Sequence, residues 1–113
     1  MTTQRAIDHT QPCATMEDVR RRIDALDDVL VPLLVTRGGY MTQAARIKQN
    51  AAQVRDEARI EAIVQRVRER AAAEGGEPEV LEAIYRSMME VYIAYEHREF
   101  ARLRATTATG SAA

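Results

Sequence analysis

Residues 18–48 read DVRRRIDALDDVLVPLLVTRGGYMTQAARIK. Within this stretch Val19, Ile23, Leu26, Leu30, Leu33, Leu34, Met41, Ala44 and Ile47 recur chiefly at gaps of three, four and seven. That spacing places them on one helical face. Thr15 or Asp18 can cap the start, and acidic residues fill the first turn. Extended to Lys48, the helix would have about 30 residues and measure roughly 45 Å at 1.5 Å per residue. A helix that long cannot fold back on itself, so it is expected to pack against a second copy of the chain. Pro32 removes a backbone donor and should bend it. Gly38 and Gly39 weaken it by roughly 1 kcal/mol each relative to alanine. Two shorter helices broken at 38–39 are the alternative. One kinked helix is preferred, because the apolar face resumes in phase beyond the glycines.

Two more helical stretches follow, and no convincing strand. One starts near Asp56 and stops at Gly75-Gly76, with Ile60, Ile63, Val64, Val67 and Ala71 on its apolar face. The other takes Pro78 into its first turn and runs to about Leu103, with an expected core face of Leu81, Ile84, Met88, Val91 and Tyr95. The expected architecture is all-α: a long kinked helix and two shorter ones, intertwined as a homodimer. Residues 1–15 and 105–113 are polar or small and aperiodic, and read as a disordered leader and tail around a helical domain at 16–104.

The chain has 113 residues, room for one small domain, and a short helical chain often gains stability by association. Its formal net charge is −1, so it has no bulk positive field to draw in nucleic acid or an anionic membrane. Any cationic site must be local and made by folding. The only cysteine, Cys13, lies in the polar leader, which rules out an intrachain disulfide and a cysteine-based zinc site. Without a signal-like or membrane-spanning stretch, the expected location is cytoplasmic. His97 sits in EHREF, which is not the HExxH zinc pattern.

Arg37 and Lys48 are 11 residues apart, nearly a whole number of turns, and so share a helix face roughly 16 Å apart. Met41, Ala44 and Ala45 lie between them, and the small alanines leave room for a small anion. Arg20 stands 17 residues before Arg37, about 25 Å away and off that face. It can reach the same small ligand only from another subunit. On the last helix Tyr92 and Glu96 are i, i+4 neighbours. Arginines on helices are usually solvated surface, and periodicity alone does not single out these residues.

Taken together, however, the motifs are familiar. The 18–48 stretch resembles the first helix of the all-helical chorismate mutase family, which includes an isochorismate pyruvate lyase branch. That family opens with an arginine and I-D-x-L/I-D, then an arginine 17 residues after the first and a lysine 11 further on. Arg20, Ile23-Asp24-Ala25-Leu26-Asp27, Arg37 and Lys48 match it. Asp56 and Arg59 in VRDEARIEAIVQRV match the family's acid and arginine at the start of the second helix. Tyr92 and Glu96 in YIAYEHREF fall on the two pocket positions of the last. The resemblance covers roughly residues 16–103.

It implies an intertwined dimer with two pockets, each holding Arg37, Lys48, Asp56, Arg59, Tyr92 and Glu96 of one chain and Arg20 of its partner. Lys48, Glu96 and Arg37 would be the catalytic residues. Lys48 and Glu96 would flank the ether oxygen of the breaking C–O bond, and the arginines would hold the two carboxylates. The implied reaction is the pericyclic rearrangement of chorismate to prephenate, in aromatic amino-acid synthesis, with no metal or cofactor. Two positions depart from the usual pattern. Glu96 stands where glutamine is frequent, and a carboxyl can donate a hydrogen bond only while protonated. Ile60 stands where many mutases carry a glutamate that contacts the substrate's ring hydroxyl. The alternatives are isochorismate pyruvate lyase, releasing pyruvate and salicylate, and a non-catalytic helical dimerisation module.

Overall fold

The computed structural model describes residues 9–112, with side chains over 9–105. Three α-helices and one short 3-10 turn follow in order: α1, Met16–Ile47; the turn, Ala51–Gln53; α2, Glu57–Ala73; and α3, Pro78–Ala112. No strand occurs among the described residues. The first eight residues of the expected leader lie outside them. α1 is one helix that continues through Pro32, Gly38 and Gly39, so the alternative of two helices is set aside. Contacts divide the chain into two units, Met1–Val35 and Thr36–Ala113.

In the first unit, the Thr15 hydroxyl accepts the Asp18 backbone N–H at 3.1 Å, the N-cap expected from the sequence. Glu17 and Asp18 then place negative charge at the positive end of the helix dipole. The apolar face is bare: Ile23, Leu26, Leu30 and Leu33 are between 47% and 61% exposed.

In the second unit α2 packs on α3. Arg55 bonds Glu90, Arg86 bonds Glu61, and Arg68 bonds Glu82. As one number in these pairs rises the other falls, so the helices run antiparallel. Between them Ile60, Val64 and Met89 form a buried cluster, packed by Ile63, Tyr85 and Ile93. Asp56 caps α2 by accepting the Arg59 N–H at 3.0 Å. Gly75 ends the helix with φ +79°, a left-handed conformation that residues with a Cβ rarely adopt, and the Gly76 N–H closes on the Ala71 carbonyl at 2.8 Å.

Two expectations for α3 need correction. Of the expected core face of Leu81, Ile84, Met88, Val91 and Tyr95, Ile84 and Val91 are 54% and 68% exposed, while Leu81, Met88 and Tyr95 are half-buried. α2 covers Tyr85, Met89 and Ile93, on a neighbouring stripe. α3 is apolar on two neighbouring stripes, and periodicity cannot rank them. The helix also continues past Leu103 to Ala112, in a stretch with no proline to stop it. No helix among the described residues is long and apolar enough to cross a membrane.

Candidate active site

α1 delivers Lys48 one residue beyond its end, and α3 delivers Glu96 to meet it. The Lys48 ammonium donates to Glu96 Oε2 at 2.7 Å and to the Val54 carbonyl at 3.3 Å. Glu96 is 3% exposed, the one buried charged residue among those described. A carboxylate so placed would be costly to ionise alone, and the ammonium compensates it. An ammonium has three N–H donors. Two are used here, and among the described residues the third has no partner. Lys48 is also the only lysine among sixteen basic Lys and Arg residues. That chain-wide preference for arginine is a sequence signal for Lys48 that spacing arguments overlook.

One turn back on α3, Tyr92 meets Arg37. The guanidinium carbon lies 5.1 Å from the ring centroid, within cation–π range. Gly38 makes room for the ring: a Cβ there would stand 3.3 Å from Tyr92 Cε1. The glycine thus trades helix propensity for a close approach of α3 to α1. Gly39 has no such neighbour, and nothing in the structure explains it.

Asp56 and Lys48 line one open depression of about 710 Å³, with Ile47, Gln49, Gln53, Arg55 and Glu57. Arg37, Tyr92 and Glu96 are not part of that lining. The Asp56 carboxylate is engaged as the α2 cap, and Arg59 is exposed on the first turn of α2. The second unit therefore brings Arg37 to Tyr92 and Lys48 to Glu96, with Asp56 beside Lys48. Arg20 belongs to the first unit, where it is exposed.

Glu99, one turn beyond Glu96, anchors a network that the sequence did not reveal. Its carboxylate accepts from Arg102 at 2.6 and 3.0 Å, from the Thr42 hydroxyl at 2.8 Å and from the Tyr95 hydroxyl at 3.3 Å. Thr42 belongs to α1, so the network ties α1 to α3 beside the lysine pair. Arg102 first, then Thr42, pull the Glu99 carboxyl down from 4.5 to about 2. A carboxyl depressed on folding stabilises the fold above its unfolded value and loses that contribution as pH falls through its folded value. Wild-type melting temperature is expected to drop between pH 4.5 and about 2. Glu99→Gln should melt lower at neutral pH and show a shallower acid slope. Equal slopes in the two proteins would remove Glu99 from that role.

A sequence model of the family described as chorismate mutase type II matches residues 19–97. That span holds all seven residues singled out from the sequence, and Glu99, Arg102 and Arg104 lie beyond it. Among curated proteins, nothing matches.

Proposed function

Because this chain belongs to the chorismate mutase type II family, we propose that it converts chorismate to prephenate in a pocket built around Lys48 and Glu96. The observation that carries this reading is the 2.7 Å Lys48–Glu96 pair with its buried carboxyl. The rearrangement breaks a C–O bond and forms a C–C bond in one step, so it needs no nucleophile. A protein accelerates it by holding the substrate compact and by stabilising negative charge as it grows on the ether oxygen. The unpartnered Lys48 N–H serves that oxygen from one side. Glu96, when protonated, serves it from the other. Arg37, propped on Tyr92, holds a carboxylate, and Arg59 and Asp56 bind at the α2 start. The bare apolar face of residues 16–35 supports a homodimer in which the partner's Arg20 completes the pocket. A cytoplasmic role in aromatic amino-acid synthesis belongs to the same reading.

Purified protein given chorismate is expected to form prephenate, measured as phenylpyruvate after acid treatment. Glu96→Gln, whose amide donates at any ordinary pH, should keep forming prephenate. Loss of prephenate formation in a folded Glu96→Gln protein would count against donation by residue 96.

One observation favours the second reading. Ile60 is 9% exposed and lies in the α2–α3 cluster, so this position offers no carboxylate to the ring hydroxyl of chorismate. Isochorismate pyruvate lyase chemistry uses nearly the same charged pocket. Salicylate from isochorismate, without prephenate from chorismate, would establish it.

A further inference from the structure

The last carbonyls of a helix lack donors within it, and α1 ends at Ile47, immediately before Lys48. The Ala44 carbonyl is served locally by the Lys48 N–H at 3.0 Å. Two others are served from α3. Arg104 Nη1 donates to the Ala45 carbonyl at 2.6 Å, and Nη2 donates to the Lys48 carbonyl. The guanidinium carbon lies 3.7 Å from the Phe100 ring centroid, so the planar group is backed by an aromatic face. Ala45 is 0% exposed, which leaves its carbonyl no water to turn to. A cation here also faces the negative end of the α1 dipole.

We propose that Arg104 is a positioning residue for Lys48, gripping the lysine's backbone from α3 while Glu96, on the same helix, grips its ammonium. Lys48 follows the last helical residue, so α1 does not by itself hold the peptide after Lys48. Three of its four anchors come from elsewhere: Arg104 on the carbonyl, and Val54 and Glu96 on the ammonium. Arg104 follows Glu96 by eight residues, roughly 12 Å along the helix. One rigid element thus sets both ends of the residue. A lysine at 104 would carry the charge but not the planar fork that reaches two carbonyls at once. The position lies outside residues 19–97, the span that the family model matches.

The catalytic consequence rests on the proposed mutase reading; the placement of Lys48 does not. Because Lys48 is the only lysine, its side-chain amine can be followed alone. Wild type, Arg104→Met and Arg104→Lys would be treated with an N-hydroxysuccinimide ester, and acylation of the Lys48 peptide timed by mass spectrometry. Arg104→Met keeps an unbranched stem over Phe100 but removes both donors. In it Lys48 is expected to be acylated about tenfold faster and kcat on chorismate to fall about tenfold, the worth of one charge-assisted hydrogen bond. KM should change less than kcat. Arg104→Lys should fall between the other two, and it carries the test should the methionine variant not fold. Equal acylation rates in wild type and the folded variants overturn the proposal, whatever the activity. Faster acylation in a protein that turns over neither chorismate nor isochorismate upholds the positioning role and rejects the mutase reading alone.

Discussion

Lys48→Ala is expected to lower kcat on chorismate by roughly 10²–10³, the usual cost of losing one preorganised donor to a developing oxyanion. In the proposed pocket Lys48 is the donor beside the buried Glu96, with one N–H that has no partner among the described residues, and no other lysine can replace it. The substitution also strands the carboxyl, and removing one partner of a buried ion pair can destabilise a fold by about 3–5 kcal/mol. The pair's lysine is 26% exposed, so the lower end or less is expected. Loss of fold and loss of chemistry are separated by adding Glu96→Gln, which leaves no stranded charge. The double variant should regain its melting temperature and remain slow. Near-wild-type kcat in folded Lys48→Ala would end the assignment.

The second large effect concerns two inactive proteins that become active together. Arg20→Ala should lose activity on a scale comparable to Lys48→Ala, because in the proposed pocket Arg20 is a carboxylate-holding cation. If each pocket takes Arg20 from the partner, a mixed dimer of the two variants has one doubly altered pocket and one intact pocket. Random pairing makes half the dimers mixed, so about a quarter of wild-type activity should return after co-refolding equal amounts. Light scattering would establish that dimers form, and native mass spectrometry that they exchange. Exchange without recovered activity would place Arg20 and Lys48 in the same chain's pocket, or Arg20 in none.

Local pattern made much of the fold readable. The Thr15 cap, the unbroken α1, the Ile60–Val64–Ala71 stripe and the glycine stop after α2 all depend on residues within a few positions of one another. The choice of face on α3 did not, because Met89 is buried by what α2 brings to it while Ile84 lies beside an equally apolar stripe. The site divides in the same way. Lys48 and Glu96 were legible through a family pattern, and their contact spans 48 positions. Arg104 was indistinguishable in sequence from any other surface arginine, since its partners are backbone carbonyls 56 and 59 positions away. A side chain that recognises main chain leaves no complementary residue to notice. Gly38 shows the reverse. It looked like a helix breaker, and its reason is the Tyr92 ring that no local rule would place there.

The bare stripe on the first half of α1 matters before any substrate is met. Residues 16–35 leave the ribosome ahead of 36–113, with Ile23, Leu26, Leu30 and Leu33 facing water. At translation speeds of 5–20 residues per second, each further 20 residues take about 1 to 4 s to make. For as long as it is uncovered, such a stripe is an adhesive surface. A bare stripe of this kind exposes unpaired chains to aggregation or turnover.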